Sequence, residues 1–260
     1  MANFSSEMKN KTMLMIFEKP SLRTRVSFET GLEQLGGHAI FYSIKDSPLG
    51  RKENISDTAK VASRFVDIIG ARVYKRKDVW DLAKYSDVPV INMLDDYAHP
   101  GQIVGDFQTI KDKKGDLEHY KMAYYGDAYN NVTYDLMRMC ALFGWDMDVA
   151  CPEGENYSPE QEVIDEIEKI SKETGAKVRI IHDAKEATKD ADVIYTDSWM
   201  SYGIPIEKEE ERKKIFQPFQ VTKEILNLSD ENVLFMNCLP QLFFFSFGIS
   251  SVAVIADGHV

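Results

Sequence analysis

The chain has 260 residues, 44% of them hydrophobic and 28% charged, which allows one large core or two modest ones and excludes a disordered chain. Its formal charge of −11 excludes a general nucleic-acid binder and confines any anion site to a local patch. Cys140, Cys151 and Cys238 show no CxxC spacing and no nearby histidine pair, so neither a disulfide framework nor a metal site is expected.

Short apolar runs alternate with amphipathic stretches of helical length, the pattern of βαβ units in parallel sheets. "TMLMIF" (12–17) predicts a strand. Residues 22–35 predict a helix, with Phe28, Leu32 and Leu35 at i, i+4 and i+7 and Gly36-Gly37 as the stop. Strands are expected at 38–43, 67–74 and 88–94, and helices at 55–66, 77–86 and 100–111. The charged stretch 111–120 has no apolar period and contains Gly115, which makes it the expected boundary.

A second series follows. Strands are expected at 121–125, 147–151, 177–181, 192–196 and 232–236. Between them fall a helix from about 131 to 143, an acidic helix at 158–174, a short helix and two further helices. The fold class read from this is α/β, as two doubly wound parallel-sheet domains, each a three-layer αβα sandwich. From Asn232 to Ala256 there is no charge, and "LFFFSFGISSVAVIA" is strongly apolar. That run is short for a membrane helix and contains Gly and Ser, so a buried strand or an aberrant end is expected instead, with no membrane partner.

"KPSLRTRVSFE" (19–29) puts Arg23 and Arg25 in the first turns of a helix, where they oppose the macrodipole by some tenths of a kcal/mol each. Ser21 stands at the N-cap and Thr24 three residues on, so the exposed amides and two hydroxyls form a ready anion site. A bound dianion would reconcile the arginines with the dipole. The bland alternative is a simple cap with both arginines in water.

This segment resembles the phosphate-binding segment of the aspartate and ornithine carbamoyltransferases. Further stretches follow in the family's order: "ENISDTAKVASRFVDIIGARVY", "HPGQ" (99–102), "GDAYNN" (126–131), "TDSWMSYG" (196–203) and "MNCLP" (236–240). The last three are similar to the amino-acid-binding motifs of the ornithine branch. "GDAYNN" lacks G-x-G-x-x-G, which speaks against a plain dinucleotide-binding domain.

The resemblance implies transfer of a carbamoyl group from carbamoyl phosphate to the δ-amine of ornithine, giving citrulline and phosphate, without a cofactor or metal. It implies a carbamoyl-phosphate-binding domain at 1–115 and an ornithine-binding domain at 116–240, with the tail 241–260 outside the family pattern. Ser21, Leu22 through its amide, Arg23 and Thr24 are expected at the phosphate. Thr24 again, with Arg72 and His99, is expected near the carbonyl oxygen, and Gln102 near the carbamoyl nitrogen. Asn131, Asp197, Ser201, Tyr202, Cys238 and Leu239 are expected at ornithine, with Asp197 and Cys238 flanking its δ-amine.

Taken singly, Arg72 reads as a salt-bridged strand end, His99 as a structural histidine, Asp197 as a loop cap and Cys238 as a core thiol. A homotrimer is also implied, and the cysteine usage fits a reducing cytoplasm. Departures from the family pattern are Leu22 for Thr, Pro48 for Gln, Asn237 for His and Tyr202 for Met. A short lead-in before the first strand and a missing C-terminal Glu-Asn-Arg segment are further departures. The missing C-terminal segment, together with the apolar "LFFFSF", keeps open an inactive member acting as a binding or assembly subunit. Putrescine is the competing amine, disfavoured by Asn130-Asn131 and "SWMSYG", which look like partners for an α-carboxylate.

Overall fold

Along strand β1 (Thr12–Phe17) Met13, Met15 and Phe17 alternate with Leu14 and Ile16, so both faces are apolar, as the middle of a parallel sheet requires. The computed structural model describes residues 6–46, 54–117, 119–200, 204–229, 232–238 and 254–255. Two units emerge, the first reaching to Gly101 and the second running on from Gln102.

In the first unit β1 lies beside β2 (His38–Ser43) and β3 (Ile68–Arg72), with β4 (Val90–Leu94) outermost, in the parallel order β2-β1-β3-β4. Leu32 of helix α1 (Leu22–Gln34) packs with Met13, Met15, Phe17 and Met93. On the opposite face Ala59 and Ala62 of α2 (Ile55–Ala62) and Val79 and Leu82 of α3 (Arg76–Tyr85) cover Ile16, Ile69 and Ala71. Each large side chain so buried contributes roughly 1.5–3 kcal/mol. The expected strands at 67–74 and 88–94 and helix at 55–66 are shorter in the structure. Ser63 ends α2 early, its hydroxyl donating to the Ala59 carbonyl at 2.7 Å and pairing with Ser86 at 3.0 Å.

Helix α4 (Pro100–Lys114) carries the chain into the second unit, running through part of the expected boundary before Gly115 takes φ +95°. The second sheet is also parallel, in the order β10-β9-β8-β5-β6-β7. Its strands are β5 (Lys121–Tyr125), β6 (Asp146–Ala150), β7 (Val178–Ile181), β8 (Val193–Thr196), β9 (Leu234–Asn237) and β10 (Val254–Ile255). Helices α5 (Asn131–Phe143), α6 (Gln161–Thr174), α7 (Ala184–Thr188), α8 (Glu209–Phe216) and α9 (Lys223–Leu226) connect them. Pro159 precedes α6, which starts three residues later than its acidic pattern suggests. Among the described residues no helix is long and apolar enough to cross a membrane. Most of the apolar tail, with Pro48, Ser201, Tyr202 and Leu239, lies outside the described residues.

Both strand orders contain a reversal. The chain leaves β1 toward β2 and leaves β3 toward β4, so the loops beyond these two strands part to opposite faces of the sheet and open a crevice. In the second unit the reversal lies between β5 and β8.

Candidate active site

At the crevice of the first unit, Ser21 is the N-cap of α1. Its hydroxyl accepts from the Thr24 amide at 3.3 Å and donates to Thr24 Oγ1 at 3.2 Å. Arg72 ends β3 opposite Phe17, and its Nη1 donates to the same Thr24 oxygen at 3.1 Å. Arg72 is only 5% exposed, so its charge sits in a poorly solvated place beside the anion-binding end of a helix. The pairing of β3 with β4 skips a residue between Ala71 and Arg72, an irregularity of the kind that re-aims a strand's last side chain. The Arg72 carbonyl in turn accepts from the amides of Glu18 (2.8 Å) and Lys19 (3.3 Å).

The two arginines of α1 divide. Arg25 Nε bonds Glu29 at 3.0 Å, and its guanidinium lies 3.8 Å from the centroid of Phe41, so it is a packing residue. Arg23 is exposed in the first turn, beside Leu22, which is 79% exposed.

His99 is reached through a turn built by buried Asp95, which accepts from the amides of Tyr97 (2.8 Å) and Ala98 (2.7 Å) and from Asn92 Nδ2 (3.0 Å). Burial, with the charges of Arg72, Lys19 and Arg23, pushes the imidazole down to about 3, so it is neutral at ordinary pH. Lys19 is lowered as well, by burial first and by Arg72 next, and its ammonium lies 4.7 Å from the centre of the Tyr74 ring. Three cations gathered here, with Arg72 almost wholly buried, are poised for an anion.

The second unit has its own convergence. Tyr125 lies opposite Thr196, and Thr196 opposite Asn237, so Gly126, Asp197 and Cys238 are the first residues beyond three neighbouring strands, on one edge. Gly126 has φ +120°, and a Cβ there would stand 3.0 Å from Trp199 Nε1, so glycine lets the two loops close up. Buried Asp127 pairs with Arg212 of α8, whose Nε also donates to the Trp199 carbonyl at 2.6 Å. Burial still holds Asp127 up at about 6.

Asn130 caps α5, accepting from the Thr133 amide at 2.9 Å, and Asn131 is the first helical residue. Asp197 accepts from the Ser198 amide at 2.7 Å and is pushed up to about 7, by burial and then by Asp127. Cys238 is half-buried, unlike the core thiol Cys140, and its Sγ donates to Gln102 Oε1 at 3.6 Å. Gln102 Nε2 donates to Asp106 at 3.0 Å.

The structure thus brings Ser21, Thr24 and Arg72 together, with the charges of Lys19 and Arg23 acting on His99. It brings Cys238 to Gln102, and it sets Asp197 just beyond the end of β8 and Asn131 at the start of α5. Sequence reasoning missed Lys19, Asp95, Asp106, Asp127 and Arg212. For Asp106 a signal was present: a carboxylate four residues after Gln102, on the helix face that buries Ile103, Phe107 and Ile110.

Comparison with known proteins also divides the chain in two, but between residues 112 and 118 rather than at Gly101. The family model "Aspartate/ornithine carbamoyltransferase, carbamoyl-P binding domain" matches residues 2–112, and that of the "Asp/Orn binding domain" matches 118–243. The anabolic ornithine carbamoyltransferase of Pyrococcus furiosus is 50% identical over 233 residues, covering 90% of this chain and 73% of that protein. The catabolic ornithine carbamoyltransferase of Thermoplasma volcanium is 46% identical, covering 90% and 75%. The solved ornithine carbamoyltransferase of P. furiosus superposes with a TM-score of 0.86 at 49% identity, over 92% of this chain and 75% of that one.

Proposed function

Since the chain belongs to the aspartate/ornithine carbamoyltransferase family, we propose that it transfers the carbamoyl group of carbamoyl phosphate to the δ-amine of ornithine, releasing citrulline and phosphate. The observation that carries this reading is the Arg72–Thr24 contact in the crevice of the first unit, where a cation and a hydroxyl share a helix N-terminus.

In this reading residues 1–115 bind carbamoyl phosphate and 116–240 bind ornithine. Ser21, Arg23, Thr24 and the amides of the turn, that of Leu22 included, hold the phosphate. Thr24 Oγ1 already accepts from Ser21 and Arg72, which leaves its proton for the ligand. Arg72 and neutral His99 donate to the carbonyl oxygen, where negative charge grows as the amine attacks. Gln102 takes the carbamoyl nitrogen. The carbon–nitrogen bond forms, the carbon–oxygen bond to phosphate breaks, and the attacking amine gives its proton to the departing phosphate.

Asn131, Asp197, Ser201, Tyr202, Cys238 and Leu239 receive ornithine. A carboxylate balanced near pH 7, as Asp197 is, suits a cationic amine: ionised it draws the ammonium in, and the ammonium keeps it ionised. The names of relatives at 46–50% identity support ornithine over putrescine, and they include both pathway directions. A homotrimer in the cytoplasm belongs to the same proposal.

Citrulline formation from carbamoyl phosphate and ornithine, with putrescine in parallel and the active peak sized by sedimentation, tests it. A folded protein that carbamoylates neither amine would sink the enzymatic reading. Tight binding of a bisubstrate analogue without turnover would put an inactive binding subunit in its place.

A further inference from the structure

We infer that Asp106 is a positioning residue that fixes which end of the Gln102 carboxamide meets the carbamoyl group, a role that rests on the function proposed above. The two residues are one turn apart on α4, with Gln102 Nε2 donating to Asp106 Oδ1 at 3.0 Å. The other carboxylate oxygen accepts from the buried Tyr195 hydroxyl at 2.9 Å. Asp106 is 0% exposed, and among the described residues it pairs with no cation.

A buried carboxylate held only by neutral donors is unfavourable: desolvation pushes Asp106 up to about 7. Its neighbours on the buried face of α4 are Ile103, Phe107 and Ile110, so an apolar side chain would suit the packing better. The geometry gives the carboxylate a task instead.

A carboxamide is nearly symmetric in shape and opposite in chemistry at its two ends, so turning it by half a rotation exchanges donor for acceptor. Above about pH 7, where Asp106 is ionised, its carboxylate only accepts and can therefore hold only the NH2 end. With that end engaged, Gln102 presents Oε1 on its other side, where Cys238 Sγ donates to it at 3.6 Å. A carbamoyl nitrogen carries two N–H donors and needs such an acceptor. Tyr195 removes the remaining freedom by holding the carboxylate from behind, 89 residues away along the chain.

The test is calorimetry on the full chain with two probes: phosphonoacetamide, which carries the amide nitrogen, and inorganic phosphate, which does not. Asp106→Asn offers Gln102 a donor as well as an acceptor and frees the carboxamide to turn. It is expected to weaken phosphonoacetamide about tenfold and to leave phosphate unchanged. Combined with Gln102→Ala it should weaken phosphonoacetamide no further than Gln102→Ala alone, because it acts through Gln102.

Equal weakening of both probes, no weakening of either, or full additivity overturns the role. Should Asp106→Asn fail to fold, Tyr195→Phe decides: a selective loss for phosphonoacetamide supports it, and an unselective loss or none overturns it. Neither probe needs turnover. A wild-type protein that prefers phosphonoacetamide no more than phosphate would refute the carbamoyl site itself, whereas a failure seen only in the variants refutes Asp106 alone.

Discussion

The guanidinium of Arg72 and the hydroxyl of Thr24 stand 48 residues apart in sequence and 3.1 Å apart in space, joining the end of β3 to the first turn of α1. Arg72→Ala removes the donor expected at the carbonyl oxygen. Citrulline formation should fall by about 10²–10³ in kcat, read from initial rates at saturating substrates. Near-normal turnover would remove Arg72 from the reaction.

Leu22 is the first residue of α1 and 79% exposed, so its side chain does little for the core. Leu22→Thr should leave stability within about 0.5 kcal/mol. Inhibition by inorganic phosphate should strengthen, because the new hydroxyl stands among the amides of the turn. An unchanged inhibition constant would show that the backbone alone serves this position.

His99 is pushed down to about 3, against an ordinary value near 6.5 in the unfolded chain. Between those values the unfolded state binds more protons, so stability from this site is present above about pH 6.5 and is lost as pH falls toward 3. An NMR titration should show a neutral imidazole at pH 5, and saturating phosphate should raise the midpoint. A free-protein midpoint near 6.5 would contradict the electrostatics.

Asp197 has the opposite sign. Its folded value of about 7 lies above the ordinary 3.8, so its contribution to stability is fully present below about pH 3.8 and is lost as pH rises through 7. Asp197→Asn should therefore gain in Tm over the wild type at pH 8 relative to pH 4, while ornithine binding weakens. Parallel Tm curves would rule out the raised value.

Asp127 and Arg212 are both buried and pair across the second unit. Arg212→Leu leaves the carboxylate without its cation and should cost about 3–5 kcal/mol in urea unfolding. Adding Asp127→Asn should recover part of that loss. A fully additive double variant would show that the two are not coupled.

How much of this was legible in the sequence depends on distance along the chain. The alternation of Met13, Met15 and Phe17 with Leu14 and Ile16 announces a strand covered on both faces, and Ser21 to Thr24 announces a cap, because those relationships are local. The motif beginning at Gly126 and the one carrying Asp197 were readable as motifs. Their meeting edge depends on the reversal of strand order between β5 and β8, which no spacing encodes. Asp127 with Arg212 and Asp106 with Tyr195 join residues 85 and 89 positions apart, each partner looking alone like an ordinary polar residue. Helix α4 outran its expected end because Lys and Asp favour or tolerate a solvated helix without any apolar period.

The amides of Glu18 and Lys19 both end on the carbonyl of Arg72, a tie between main-chain atoms that no side-chain exchange at position 72 removes. Grip and shape are therefore separable in this loop. The guanidinium can be replaced while the connection from β1 to α1 keeps its course, so the crevice can be retuned for anions of other size or charge through the residues at 19, 22, 23 and 72. As a scaffold for redesign, it is a fixed backbone mould with exchangeable contacts.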